Sequence, residues 1–280
     1  MSKITTIYCE GKRGSHDFDI LEKVVGNIAT IAIKPIGSKR GANAIIEFAE
    51  KGTTKSDFYC FFRDRDFDCS VPAKEELYFD GKKTYFSYRT TIENYLFDTS
   101  LFFRFLETKK LNSKYNIKAE TDVIDIFVET AKSLKFYQAV RHTLGQLRFP
   151  NSFGTTWVKE GSGHLPEKLD LETCKTEGWK LICDVVSINN LEWTESNFQS
   201  KLREYLNLFT DTFFTELKFL TYFQGKDFAK ALTNKLVEKL RFFVMEASFR
   251  TYYRRCPESL RSSLLLTCTF VSEDMCAYQS

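Results

Sequence analysis

Short apolar runs alternate with helix-patterned stretches over the first third of the chain. "ITTIYCEG" (4–11) reads as a β-strand that ends in an acid and a glycine. "DFDILEKVVGN" (17–27) has helical spacing, with Asp17 or Asp19 as N-cap candidates and Gly26 at its end. "IATIAIKPI" (28–36) is a second strand and leads into the loop "GSKRG". "ANAIIEFAEKG" (42–52) is a second helix, closed by Gly52. "DFYCFF" (57–62) is a third strand and "KTYFSYR" (83–89) a fourth.

Strand, helix, strand, helix, strand predicts an α/β fold, a parallel sheet flanked by helices. The near-continuous apolar strands are what a sheet buried on both faces requires. Sites in such sheets form beyond the carboxyl ends of the strands. Glu10 follows the first strand and Asp64 and Asp66 follow the third, so all three are expected at one edge.

Beyond about residue 93 the period changes to that of helices. It holds in "IENYLFDTSLFFRFLETKKL" (92–111), in 119–147, in "ESNFQSKLREYLNLFTDTFFTELKFLTYF" (195–223) and in 227–256. The Gly-rich stretch between Pro150 and Pro166 reads as a loop. The expected organisation is therefore an α/β domain over 1–98 and a mostly α-helical C-terminal module over 99–280, serving dimerisation, partner docking or substrate binding.

Composition narrows the class without naming a partner. Forty Lys and Arg against 37 Asp and Glu leave a net charge of +3, so any basic surface must be local. The eight cysteines show neither a CxxC pair nor zinc spacing and read as reduced thiols. The N-terminus lacks the apolar core of a signal peptide, and no apolar run reaches membrane-spanning length. A cytoplasmic setting is expected.

The chemistry lies in "FFRDRDFDCS" (61–70), where Asp64, Asp66 and Asp68 alternate directly after an apolar strand. Clustered carboxylates repel one another and are stable mainly with a cation between them. An EF-hand loop is disfavoured, because Cys69 stands where its glycine belongs and a strand stands where its helix belongs. A D-x-D-x-T phosphatase is disfavoured because Asp68 replaces the threonine. No GxxxxGK[ST] loop is present, so any ATP hydrolysis must come from a partner.

The ordered set of strand, Glu10-Gly11, helix, strand, helix, strand, Asp64-Arg65-Asp66 resembles the Toprim fold of topoisomerases, primases and overcoming-lysogenization-defect nucleases. "GSKRGAN", "FRDRDFD", "TIENYLFD" and the late "FQGKDFAKAL" together resemble the Toprim effector nucleases of the PARIS anti-phage system. The likeness is strongest over residues 4–95. It implies Mg²⁺ or Mn²⁺ bound by Glu10, Asp64 and Asp66, with Asp68 and Glu93 as further ligands. It also implies a nuclease that acts on RNA, with tRNA as its target, beside an ABC-type ATPase partner and as a homodimer when released. Two alternatives stay open: a DNA nuclease of the overcoming-lysogenization-defect type, and a non-catalytic Toprim-fold subunit docked on an ATPase.

Lys12, Arg13, Lys39, Arg40, Arg63 and Arg65 are expected in loops near the acidic edge, placed to meet substrate phosphates. Lys226, in "GKDF", is carried over as a phosphate contact by the resemblance alone. Of the three histidines only His16 is expected near this edge. The Phe- and Tyr-rich runs "FTDTFFTELKFLTYF" and "LRFFVMEASFRTYY" put aromatics on several helix faces, which suits either a thick core or a dimer interface.

Overall fold

The computed structural model describes residues 5–37, 41, 44–45, 58–67, 69–81, 83–147, 155–189 and 193–240. The chain divides into two compact units. One holds the described residues up to Arg65 and from Pro72 to Tyr88; the other holds Asp66–Val71 and those from Arg89 onward.

The first unit is built on a five-stranded sheet. Its elements are β1 (Thr5–Cys9), α1 (His16–Val25), β2 (Ile31–Pro35), β3 (Phe58–Arg63), β4 (Tyr78–Phe79) and β5 (Thr84–Phe86), with strand order β2-β1-β3-β5-β4. β1 pairs in parallel with both β2 and β3, and β3 with β5. Ile7, Cys9, Cys60 and Phe62 are buried in the sheet, and Phe18, Ile20, Leu21, Val24 and Val25 are the buried positions of α1. The helix expected over 42–52 lies outside the described residues except for Ala44 and Ile45.

The expected all-parallel sheet is corrected at one edge. β4 runs antiparallel to β5, so the sheet is mixed. The cause is local: Asp80 Oδ1 accepts from the N–H groups of Lys83 and Thr84, and Gly81 takes a φ of 77° that a β-carbon would resist. This turn folds "YF" back onto "TYF" as a short hairpin.

The second unit is helical. It contains a 3₁₀ turn (Ile92–Leu96) and helices α2 (Thr99–Thr108), α3 (Asn112–Tyr115), α4 (Glu120–Gln146), α5 (Leu171–Asn189), α6 (Glu195–Leu208), α7 (Asp211–Thr215), α8 (Phe219–Tyr222) and α9 (Gly225–Leu240). α4 is the central strut, with Phe127, Ala131, Leu134, Ala139, Val140 and Leu144 fully buried. α5 was not expected from the hydrophobic pattern. Its Gly178 is where α5 comes close to α4, since a β-carbon there would sit 2.5 Å from Val140 Cγ1.

The aromatic run over 209–223 forms two short helices rather than part of one long one. Phe209, Phe213, Phe214, Phe219 and Phe223 are each at most 2% exposed, so the rings placed on several faces are all covered within the unit. Phe209 stands 4.7 Å from Phe213 and 5.1 Å from Phe223, and Phe219 lies 5.4 Å from Phe228 of α9. These five rings therefore belong to the core. The companion run "LRFFVMEASFRTYY" lies outside the described residues except for Leu240. Among the described residues no helix is long and apolar enough to cross a membrane.

Candidate functional site

In the first unit the register of the parallel strands brings the acids' positions together. Cys9 is paired with Phe62, so the next residues, Glu10 and Arg63, stand level at the carboxyl ends of β1 and β3. Arg63 Nε lies 3.6 Å from Glu10 Oε2. Asp64, the next residue after β3, is half-buried. Glu10 and Asp64 thus follow adjacent parallel strands at the same sheet edge, as the sequence pattern expects.

The chain after β1 is shaped by Gly11. Its N–H donates to Asp17 Oδ2 at 2.6 Å, and a β-carbon on it would meet Ser15 Oγ and both Asp17 carboxylate oxygens inside contact distance. Asp17 therefore reaches back from the first turn of α1, and Ser15 rather than Asp17 or Asp19 is the N-cap. Lys12 and Arg13 are exposed in this loop, and His16 is half-buried beside it.

Arg65 is placed differently from the other cations. It is 1% exposed, its N–H donates to Ser87 Oγ at 3.1 Å, and its Nε donates to the Tyr88 carbonyl at 3.2 Å. Pairing along β5 continues past the end of β3, with Ser87 N–H donating to the Arg63 carbonyl at 3.0 Å. The buried guanidinium ties this continuation together, where the sequence reading put a loop cation. Lys39, Arg40 and Asp68 lie outside the described residues.

Three motifs singled out in the sequence meet in the second unit. Asp66 has a left-handed φ of 47°, unusual for a residue with a side chain, and its N–H donates to the Thr90 carbonyl at 2.7 Å. Thr90 Oγ1 donates to the carbonyls of Thr221 and Tyr222, and Asn94 Nδ2 donates to that of Phe223 at 2.9 Å. Gly225 N–H donates to Thr91 Oγ1, and a β-carbon at Gly225 would lie 2.7 Å from both Asn94 Oδ1 and Thr91 Oγ1. Asp66, "TTIEN" and "FQGK" are thus joined by hydrogen bonds that each use a main-chain group. On this frame Lys226 Nζ sits 3.5 Å from Oε1 of Glu93, which is 7% exposed.

The residue after Lys226 anchors that frame, and sequence reasoning missed it. Asp227 is fully buried. Its carboxylate accepts from Gln138 Nε2 at 2.8 Å, from Gly163 N–H at 2.8 Å and from the Arg141 guanidinium. Arg141 also donates to Ser162 Oγ, while Gln138 Oε1 accepts from Gln224 N–H. A buried ion pair depends on such further hydrogen bonds, which here meet all but the Arg141 Nε. The network fastens the start of α9 and the loop around Gly163 to α4.

His142, Cys9 and Cys174 lie in the interior. His142 is buried, with Nε2 at 2.8 Å from the Tyr222 carbonyl and its ring stacked on Tyr205. Burial, helped by the Asp17 charge, pushes the Cys9 thiol up to about 12. Burial, helped by Asp170, does the same for Cys174. Neither thiol is a thiolate near neutral pH, so neither has nucleophile character.

Carboxylate oxygens are the donors Mg²⁺ takes. The arrangement, however, sets Glu10 against Arg63 and Glu93 against Lys226. Among the described residues no group of three or more His, Cys, Asp or Glu side chains is placed to hold a metal ion. No protein-family model matches the sequence, and no curated protein matches it.

Proposed function

We propose that this chain is a nuclease of Toprim type, the effector of an anti-phage defence system that cleaves RNA, tRNA foremost, when released from an ATPase partner. The observation that carries the reading is the placement of Glu10 and Asp64 at the carboxyl ends of two adjacent parallel strands. That edge is where open α/β sheets assemble their sites. Asp66 follows two residues later, and "TIENY" and "FQGKDF", which support the resemblance in the sequence, share one hydrogen-bonded frame.

Within this reading Glu10, Asp64 and Asp66 are the catalytic acids, and the resemblance adds Asp68 and Glu93 as further ligands. The resemblance assigns them Mg²⁺ or Mn²⁺, whose chemistry when bound would be to activate a water and offset charge on the phosphodiester. Lys12 and Arg13, exposed just beyond Glu10, are suited to meet substrate phosphates, and Lys39 and Arg40 join them by their place in the sequence. Arg63, 3.6 Å from Glu10, offsets part of its charge.

A second reading, a Toprim-fold subunit without chemistry, draws support from the two acids that lean on cations. One experiment separates the two. RNA 3′ and 5′ ends are sequenced from cells expressing the wild type or Glu10→Ala. New ends that appear with the wild type and vanish with Glu10→Ala support the nuclease; identical end profiles overturn it.

A further inference from the structure

The sheet of the first unit carries one row of side chains that leads from solvent to Glu10. Tyr78 of β4 is paired with Phe86 of β5, Phe86 with Arg63 of β3, and Arg63 stands level with Glu10 beyond β1. Residues directly opposite one another in a sheet project from the same face. The contacts along the row are continuous: Tyr78 and Phe86 have ring centroids 6.0 Å apart, and the Arg63 guanidinium lies 5.5 Å over the Phe86 ring. Three interstrand spacings make the row roughly 14 Å long.

Exposure grades along it. The Glu10 and Arg63 side chains are 25% and 17% exposed, Phe86 is half-buried, and Tyr78 at the sheet edge is 42% exposed. A second cation shares this face, since Lys83 Nζ lies 3.6 Å over the ring of Tyr59, which precedes Arg63 by four residues on β3. Rings interleaved with cations suit a ligand that is flat and apolar on its faces yet negatively charged between them.

We infer that the row Tyr78–Phe86–Arg63–Glu10 is a binding track for unpaired nucleotides, which stack a base on Tyr78 and lay the following phosphate toward Arg63 and Glu10. Duplex bases are already stacked and present no free face, so the track selects single-stranded segments. The inference rests on the nuclease reading, because Glu10 gives the row its destination, and it adds the substrate class: an unpaired loop or end rather than a helix.

The test uses the full-length protein in EDTA, with a fluorescein-labelled oligouridylate as single strand and the same strand annealed to its complement as duplex. Tyr78→Ala is expected to weaken single-strand binding about tenfold, within the range that loss of one base–aromatic stack spans. Tyr78→Phe keeps the ring and should bind as the wild type does, and duplex binding should not change in either variant. Tyr78 is exposed, so both variants should melt with the wild type. Unchanged single-strand binding by Tyr78→Ala overturns the track and assigns the edge to another occupant, such as a protein strand. Equal loss for single strand and duplex overturns it as well. The cleavage assay keeps the two ideas apart. If Glu10→Ala is inactive while Tyr78→Ala binds normally, the track alone falls; if Glu10→Ala cleaves as the wild type does, Glu10 is not a catalytic acid, the Toprim reading falls, and the track loses its destination.

Discussion

Lys226 and Glu93 form an ion pair, 3.5 Å from nitrogen to oxygen, between the first turn of α9 and the 3₁₀ turn at Ile92–Leu96. The two partners are unlike in setting: the lysine side chain is 52% exposed, the glutamate side chain only 9%. The pair therefore sits between the surface case, where solvent screens most of the gain, and the buried case, where losing one partner strands the other. Lys226→Met should cost about 1 kcal/mol, because it leaves the sheltered Glu93 carboxylate with less compensation. Glu93→Gln made on top of it should recover part of the loss. A double-mutant cycle by urea denaturation checks this; a coupling energy indistinguishable from zero would mean that the two side chains do not depend on each other.

The Asp227 network should weigh far more. Asp227→Ala would leave the Arg141 guanidinium, 4% exposed, without its carboxylate and would free Gln138 Nε2 and Gly163 N–H from their acceptor. Breaking a buried pair from one side costs about 3–5 kcal/mol, enough to unfold a marginal protein. Arg141→Met combined with Asp227→Leu removes both charges and should be less harmful than Asp227→Ala alone. Guanidinium melts of the three proteins give the order, and a double variant weaker than the single one would contradict it.

What the sequence revealed and what it hid divide along physical lines. β1, β2, β3 and β5 were legible as short apolar or aromatic runs set between turn residues, and the level placement of Glu10 and Asp64 follows from parallel register alone. β4 was not, since two residues cannot show a period. The long aromatic segment read as one helix because spacing reports which faces are apolar and not where the chain turns back. Arg65 was taken for a loop cation because nothing nearby in sequence shows that pairing with Ser87 runs on past β3. Asp227 was invisible for a similar reason: its partners Gln138 and Arg141 lie on another helix, and an Asp in the first turn of a helix is ordinary.

The buried thiols and one phenol make stability fall on the alkaline side. Cys9 and Cys174 are held near 12 against an ordinary 9.0, and Tyr137, chiefly through burial, near 12 against 10.0. Between about pH 9 and 12 the unfolded chain has released these protons while the folded one keeps them. The unfolded state then binds fewer protons, and stability falls as pH rises; below about pH 9 these groups add no pH dependence. A loss of roughly 6 kcal/mol by about pH 11, on the order of 10 °C in Tm, is expected. Calorimetry from pH 8 to 11 checks it, and a flat or rising Tm would count against the burial of these groups. The exposed Cys183 should react with a thiol reagent at pH 8 while Cys9 and Cys174 stay protected until the protein unfolds.

Asp66 separates backbone from carboxylate. Its left-handed φ of 47° is cheap for glycine, tolerated by Asn and Asp, and costs other residues about 1 kcal/mol. Its N–H bond to the Thr90 carbonyl holds it in that conformation. The backbone alone thus predicts that Asp66→Asn and Asp66→Gly keep wild-type stability within about 0.5 kcal/mol while Asp66→Ala loses about 1 kcal/mol. The nuclease reading adds an independent demand, that all three variants lose cleavage because all three lose the negative oxygen. Urea denaturation and an RNA cleavage assay on the same three proteins test both halves. An Asn variant that cleaves at the wild-type rate would remove Asp66 from the catalytic acids without touching its place in the fold. An Ala variant as stable as the wild type would show that residue 66 does not keep its left-handed conformation in solution.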